Sequence, residues 1–204
     1  FEHIWRQHYG YGTDAALLEW QCLADNPIVT LDSKTSTVIS EFGDRFRGDV
    51  INLIPPQTAS QLAIANGLTQ ASGWCPVDAL TSESTLAANI HVIGDAAQFQ
   101  PVPKSAFAAN SQAKQCAMAI AHILQDNPPP TPVWFNTCYS HISDDQAISV
   151  SHVYRLDAKT TRSISAAKIT GGLSSRTDLQ TLMQEYRNGE AAYHHLLEDA
   201  FGAY

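Results

Sequence analysis

Apolar residues recur at helical spacing in several segments, and the longest of these segments predicts a central helix. This helix is expected from about Ser105 to Gln125, and Asn127 and the prolines after it end the helix. Shorter helices are predicted over residues 2–9 and over Gln57–Asn66, with Gly67 capping the second. The apolar stripe expected to pack the central helix consists of Cys116, Ile120, Ile123 and Leu124.

Short runs of β-branched and aromatic residues, bounded by glycine, proline or polar residues, predict strands in both halves of the chain. Ser33–Thr35 lies between two such runs and predicts a hairpin turn, and Pro55–Pro56 ends the fourth run. Near the C-terminus, Leu179–Tyr186 and Tyr193–Phe201 predict two helices or one continuous helix. The predicted strands are Ala16–Trp20, Pro27–Leu31, Thr37–Phe42, Phe46–Ile54, Asn89–Ile93, Val133–Phe135, Ala147–Tyr154 and Arg162–Ala166.

The composition is that of a folded, acidic protein. Hydrophobic residues make up 44% of the 204 positions and charged residues 16%, which excludes a wholly disordered chain. Asp and Glu outnumber Lys and Arg by 20 to 12, and without a basic run nucleic acid is a poor candidate partner. No stretch reaches the roughly 18 apolar residues of a transmembrane helix. Because the chain starts with Phe and shows no signal peptide, we expect a processed chain or a piece of a longer one.

Three local motifs suggest cofactor or metal binding but lack the context that such sites need. Gly10–Ala15 fits the dinucleotide fingerprint G-x-G-x-x-A, yet a predicted helix precedes it and a strand follows, so a turn or helix cap is expected. His194 and His195 are adjacent on a helix rather than one turn apart. Cys138 and His141 have no second ligand pair nearby in the sequence. We therefore expect no metal site.

Gly94–Asp95 lies in a context that suits a cofactor. A predicted strand ends there and a predicted helix begins near Lys104–Ser105, so a carboxylate and a helix N-terminus come close in sequence. A carboxylate can accept hydrogen bonds from the ribityl hydroxyls of a flavin, and helix amides can face its pyrimidine edge. The same pattern also fits an ordinary strand–turn–helix in which Asp95 is a solvated cap, and the spacing leaves both readings open.

The cysteines are spaced too irregularly for a zinc ribbon or a dense disulfide scaffold. Cys138 follows an aromatic strand and is either a small core residue or a redox group. Cys116 lies on the stripe of the central helix, where packing is expected. The residue types alone therefore leave the chemistry of Cys138 undecided.

Five segments in a fixed order give the chain a resemblance to a known family. This series resembles the C-terminal half of the flavoprotein subunit of flavocytochrome c sulfide dehydrogenase, which is related to sulfide:quinone oxidoreductases. The resemblance runs from Trp5 to about Gly202 and is weakest between Leu156 and Leu179. The segments are Asp49–Gln57, Gly73–Asp78, His91–Ala96, Pro103–Ser105 with Ala109–Gln112, and Asn136–Tyr139.

The resemblance implies an α/β fold, namely part of a two-dinucleotide-binding-domain flavoprotein with Rossmann-like segments and an α+β C-terminal module. Residues 1–56 would belong to the second dinucleotide-binding domain and 57–130 to the returning FAD-domain segment. Residues 131–204 would form the flavin-binding and interface module.

The resemblance also implies roles for individual residues. The carboxylate after the strand would contact FAD, the Pro-Lys-Ser segment would open the helix near the flavin ring, and the cysteine would form a redox-active disulfide with a cysteine from the N-terminal half. Ala106 stands where relatives often have glycine, which we expect to be tolerated. The implied residues are Gly94, Asp95, Ala96, Lys104, Ser105 and Ala106 for the cofactor and Cys138 for catalysis.

The implied reaction is the oxidation of sulfide, with electrons passing through FAD to the haem of a cytochrome c subunit in the bacterial periplasm. The N-terminal FAD fingerprint and the second cysteine are absent from the sequence. We therefore expect an incomplete FAD site and an inactive fragment. Two alternatives remain, a sulfide:quinone or related FAD oxidoreductase and a non-enzymatic assembly module.

Overall fold

The computed structural model describes residues 1–22, 24, 26–156, 164–174 and 177–202. These residues form two compact units, residues 1–57 and residues 58–204.

The first unit contains one helix and a small antiparallel sheet. Helix α1 (Glu2–Tyr9) ends at Gly10, whose φ of 62° is the left-handed conformation of a C-cap, so the expected turn is confirmed. The sheet has the order β1 (Ile28–Asp32), β2 (Thr37–Ser40) and β3 (Arg45–Arg47).

The β1–β2 hairpin is the turn that the sequence predicted. The Asp32 carboxylate accepts hydrogen bonds from the Thr35 hydroxyl at 2.7 Å and from the Lys34 amide at 3.0 Å. These two bonds hold the pKa of Asp32 below its ordinary value. The turn is therefore fixed by a side chain as well as by the β-ladder.

One predicted strand of the first unit is wrong, and another is shorter than predicted. Ala16–Trp20 forms no strand, because the amide of Leu17 bonds the Tyr9 carbonyl at 2.8 Å and the Trp20 ring packs against Trp5. Phe46–Ile54 continues as strand only to Arg47, after which the chain leaves the sheet and Val50 is exposed. A run of strand-forming residues needs a partner strand, and within the described residues neither Ala16–Trp20 nor the segment after Arg47 has one.

The second unit packs two long helices and a short one with an antiparallel sheet. The sheet has the order β4-β5-β6, and its core contains Trp134, Tyr154, Phe99, Val102 and Ala108. Its elements are α2 (Gln61–Ala65), a 3₁₀ turn at Gly94–Ala96, α3 (Ala106–Ile123), β4 (Val133–His141), β5 (Ala147–Leu156), β6 (Ile164–Leu173) and α4 (Leu179–Phe201).

Two contacts fix the helices to the sheet. Helix α3 lies along the outer edge of β4, where the Phe135 amide donates to the Ser111 hydroxyl at 3.0 Å. Helix α4 approaches β4 at Gly189, where a Cβ would lie only 3.2 Å from the ring of Tyr139. The C-terminal helical pattern therefore forms one continuous helix. Glycine suits position 189 because it leaves room for the Tyr139 ring.

The structure confirms most of the predicted elements of this unit and corrects two predictions. Asn89–Ile93 forms no regular strand, since only His91 pairs, in a single bridge to Glu83. The predicted stripe of α3 is also wrong at its end, because Ile123 is 42% and Leu124 80% exposed. The packed face consists mostly of small residues, with Gln112 as the exception, because α3 lies close to β4. This face consists of Ala108, Ser111, Gln112, Cys116 and Ala119.

The strand predictions after the proline run hold in their central parts. β4 and β5 extend beyond the predicted Val133–Phe135 and Ala147–Tyr154 because they pair with each other along nearly their whole length. Of the predicted strand Arg162–Ala166, residues 162 and 163 lie outside the described residues and β6 begins at Ile164.

The mixed helix and strand content is consistent with an α/β class. Both sheets within the described ranges are antiparallel, and a single parallel bridge joins Cys75 to Ala97. No helix in the described part of the chain has the length and apolar character to cross a membrane.

Candidate functional site

The Gly94–Ala96 turn is fastened to the middle of α3. Gly94 has a φ of 68°, and its amide donates to the Gln112 side chain at 2.6 Å. Gln112 is almost fully buried, so this bond is shielded from water. A Cβ at Gly94 would contact the Cβ of Ala109 at 3.4 Å and would also face the strain of positive φ. The turn therefore holds Asp95 at a fixed place on the surface, where its side chain is exposed.

Lys104 braces the same turn from its other side. Its Nζ donates to the carbonyl of Asp95 and to that of Ala97, the second at 3.2 Å. The ammonium also lies 3.7 Å from the centre of the Trp74 ring. Burial lowers the pKa of Lys104, and the nearby charge of Asp95 opposes this effect. The cation is therefore directed at the backbone and at an aromatic face within the chain.

Ser105 begins α3 and links it to the sheet. Its φ of −153° is extended, and its hydroxyl oxygen accepts a hydrogen bond from the Ala108 amide at 3.1 Å, as an N-cap does. The hydroxyl proton is donated to the Asn136 side-chain oxygen at 2.5 Å. Ala106, the first residue of the helix, is exposed. The N-terminus of α3 is thus open at Ala106 and tied to β4 through Ser105.

Cys138 lies two residues beyond Asn136 on the same face of β4. Its thiol is free and exposed, whereas Asn136 is 3% exposed. The Asn136 side-chain nitrogen lies 3.4 Å from the Cys138 sulfur, and the Asn136 oxygen lies 3.8 Å from it. Burial raises the pKa of Tyr154, and the charge of Cys138 adds to that effect. The sulfur therefore lies on the surface at the end of a polar chain that starts at α3.

The structure joins most of the residues that the sequence singled out. Contacts run from the Gly94–Ala96 turn through Lys104 and Ser105 to Asn136 and then to Cys138. The sequence reasoning missed the parts played by Trp74, Gln112 and Asn136. All three belong to the quoted segments Gly73–Asp78, Ala109–Gln112 and Asn136–Tyr139, but only the fold shows what they contact.

The remaining candidates lie apart from this arrangement. His194 and His195 are exposed on α4. Cys138 and His141 are three positions apart on one strand, so their side chains leave opposite faces of the sheet. His141 instead packs against the Tyr186 ring, with 5.0 Å between ring centres. Cys116 is buried in the helix face, as its expected packing role requires.

Comparison with known proteins gives the class and then the family. A family model described as the flavin-binding domain of flavocytochrome c sulphide dehydrogenase matches residues 130–201, so the class is that of a flavin-binding protein. A model for the central part of the flavoprotein chain of the same sulfide dehydrogenase matches residues 1–55. The two ranges together cover more than half of the chain, which belongs to the family of the flavocytochrome c sulfide dehydrogenase flavoprotein subunit.

A solved structure supports the fold. A chain in the cryo-EM structure of the Tetrahymena thermophila mitochondrial ATP synthase F1Fo tetramer is similar, with a TM-score of 0.58 and 17% sequence identity. The similarity covers 86% of the present chain and 41% of that chain. At this identity the likeness concerns the fold alone.

Proposed function

We propose that the chain is part of an FAD-dependent oxidoreductase that oxidises sulfide and passes the electrons to the haem of a cytochrome c partner. The observation that carries the proposal is the exposed thiol of Cys138, linked through Asn136 and Ser105 to the start of α3 in a chain of this flavoprotein family. A location in the bacterial periplasm and a Rossmann-like arrangement of the complete protein belong to the same proposal.

The groups around the start of α3 fit a flavin. Asp95 offers an exposed carboxylate, which accepts hydrogen bonds from hydroxyl groups such as those of a ribityl chain. The amides of Ala106 and Phe107 open α3, where the helix dipole favours negative charge. We propose that these groups hold FAD, that Lys104 acts by bracing the turn, and that the pyrophosphate is bound by a segment outside residues 1–204.

Cys138 carries the sulfur chemistry in this proposal, as one half of a disulfide with a cysteine outside residues 1–204. Hydrosulfide attacks the Cys138 sulfur, a new sulfur–sulfur bond forms there, and the partner cysteine leaves as a thiolate with the electron pair of the broken bond. A bound flavin would take up an electron pair and release it as single electrons. The exposure of Cys138 supports the access that the attacking anion needs.

The test is anaerobic reduction of the flavin by sulfide in the complete protein, with Cys138→Ser compared with Cys22→Ser. Cys22 is the other exposed cysteine of the chain, so it controls for loss of a surface thiol. In Cys138→Ser the flavin should stay bound and remain reducible by a strong chemical reductant. Its reduction by sulfide should fall by orders of magnitude, while Cys22→Ser should behave as the parent.

Reduction by sulfide at the parent's rate in Cys138→Ser would refute the proposed role of this cysteine. The electron acceptor is tested separately, by mixing the sulfide-reduced protein with a cytochrome c and with a soluble quinone. Faster reoxidation by the quinone would replace the haem proposal with a quinone-linked one. A complete protein that binds no flavin would favour the assembly module.

A further inference from the structure

Asn136 is buried between the start of α3 and the Cys138 sulfur, and its hydrogen bonds have a defined direction. The Ser105 oxygen already accepts a hydrogen from the Ala108 amide at 3.1 Å. A hydroxyl has one proton, and at 2.5 Å that proton goes to the Asn136 side-chain oxygen. The carboxamide orientation is thereby set, and its N–H group is directed at the sulfur at 3.4 Å.

The result is a chain of donors that all point the same way. It runs from the Ala108 amide in the first turn of α3 to Ser105, then to Asn136 and then to Cys138. Hydrogen bonds in such a chain polarise one another, and the first donor belongs to the partly positive end of a helix. With Asn136 only 3% exposed, water competes little with these bonds. The end of the chain is therefore an N–H donor that faces the Cys138 sulfur.

We propose that Ser105 and Asn136 are positioning residues that stabilise the thiolate of Cys138. The inference rests on the proposed function, in which Cys138 is one half of a redox disulfide, and it concerns the Cys138 thiolate that is set free when this disulfide is reduced. Ser105 and Asn136 would act on the reaction through the Cys138 sulfur. For Ser105 this role differs from the contact with the cofactor that the resemblance implied. The Asn136 oxygen, 3.8 Å from the sulfur, accepts from the thiol when the sulfur is protonated, so the same amide serves both forms.

The test measures thiol alkylation by iodoacetamide in the complete protein after its disulfides have been reduced. Mass spectrometry of peptides gives the rate at Cys138 relative to that at Cys22, an exposed thiol of the other unit and an internal reference. Asn136→Asp keeps an acceptor for Ser105 but removes the N–H donor. The relative rate at Cys138 should then fall about ten-fold near neutral pH.

Two substitutions of Ser105 separate the helix cap from the donor chain. Ser105→Gly costs an N-cap only a few tenths of a kcal/mol but removes the hydroxyl, so the relative rate should fall at least about three-fold. Ser105→Thr keeps both the cap and the donor and should stay within about two-fold of the parent. A variant that loosens the fold would instead raise the alkylation rate at Cys138 and make Cys116 accessible to the reagent. This change in rate is opposite in direction to the one expected from loss of the donor chain.

An unchanged ratio of Cys138 to Cys22 in both Asn136→Asp and Ser105→Gly would overturn the inference. If one of these variants fails to fold, the other decides. The measurement involves neither flavin nor sulfide, so this failure is distinct from failure of the proposed function, which appears as sulfide-driven flavin reduction in Cys138→Ser.

Discussion

Lys104→Met tests whether the Lys104 cation holds the Gly94–Ala96 turn together. The substitution keeps the length and the apolar stem of the side chain but removes the two bonds to the carbonyls of Asp95 and Ala97. A hydrogen bond from a charged group contributes about 1.5–3 kcal/mol, and a cation over an aromatic ring about 0.5–2 kcal/mol. The desolvation that lowers the pKa of Lys104 opposes these gains. Because Lys104 is exposed, water screens these contacts, and we expect a net loss of about 1 kcal/mol in the stability of the turn.

Hydrogen–deuterium exchange measures this local loss without requiring the whole protein to unfold in two states. The reporting amides are those of Ala97, bonded to the Gly94 carbonyl at 3.1 Å, and of Cys75, bonded to the Ala96 carbonyl at 2.9 Å. A loss of about 1 kcal/mol corresponds to roughly five-fold faster exchange at these amides. Amides shared by β4 and β5 should keep their protection.

Lys114→Met is the matched control. Lys114 lies in the middle of α3, and its ammonium bonds the Asp199 carboxylate at 2.5 Å with both side chains about half exposed. Removing a surface ion pair should leave exchange at the Gly94–Ala96 turn unchanged. Equal exchange at the turn in the parent and in Lys104→Met would refute the bracing role.

Two further predictions concern the carboxylate and the buried thiols. Asp95→Ala in the complete protein should weaken flavin binding about ten-fold, and by more than Lys104→Ala does. The measurement is the flavin-to-protein absorbance ratio during dilution, and equal retention of flavin in the two variants would remove the assigned role of Asp95. Burial raises the pKa of both Cys75 and Cys116 above 9.0 because it disfavours the charged thiolates. The folded state is therefore stabilised while both thiols are protonated, and this part of the free energy of unfolding should be lost as the pH rises through the raised pKa values. Urea midpoints between neutral and alkaline pH should show a shallower loss in Cys116→Ala, and identical slopes would contradict the argument.

The sequence predicted α3 well because both of its ends carry local signals. Ser105 supplies an N-cap and the residues before Pro128 supply a stop, and both act within a few positions along the chain. The packed face of the same helix was harder to predict, because it depends on how closely β4 approaches. Ile123 and Leu124 continue the apolar stripe past the end of that contact and are exposed.

Strand predictions failed where no partner strand could be seen in the sequence. Asn89–Ile93 has strand-forming residues, but its single bridge, from His91, is to the irregular segment around Glu83 and not to a regular strand. The candidate site shows the same limit. The motif containing Cys138 was recognised, whereas the bond between Ser105 and Asn136 spans 31 positions and follows from the packing of α3 against β4.

The placement of Ser111 against β4 has a consequence for the handling of the protein. A strand at the edge of a sheet offers unpaired amides to strands of other molecules, and the Ser111 hydroxyl occupies one of these amides, at Phe135. Helix α3, which covers this edge, is also bonded to Asn136 through its N-cap Ser105. Displacement of α3 would therefore uncover the edge and break the bond that orients Asn136 toward Cys138 at the same time. Loss of the contacts around Cys138 through displacement of this helix should therefore be accompanied by self-association, because the edge of β4 becomes a template for pairing.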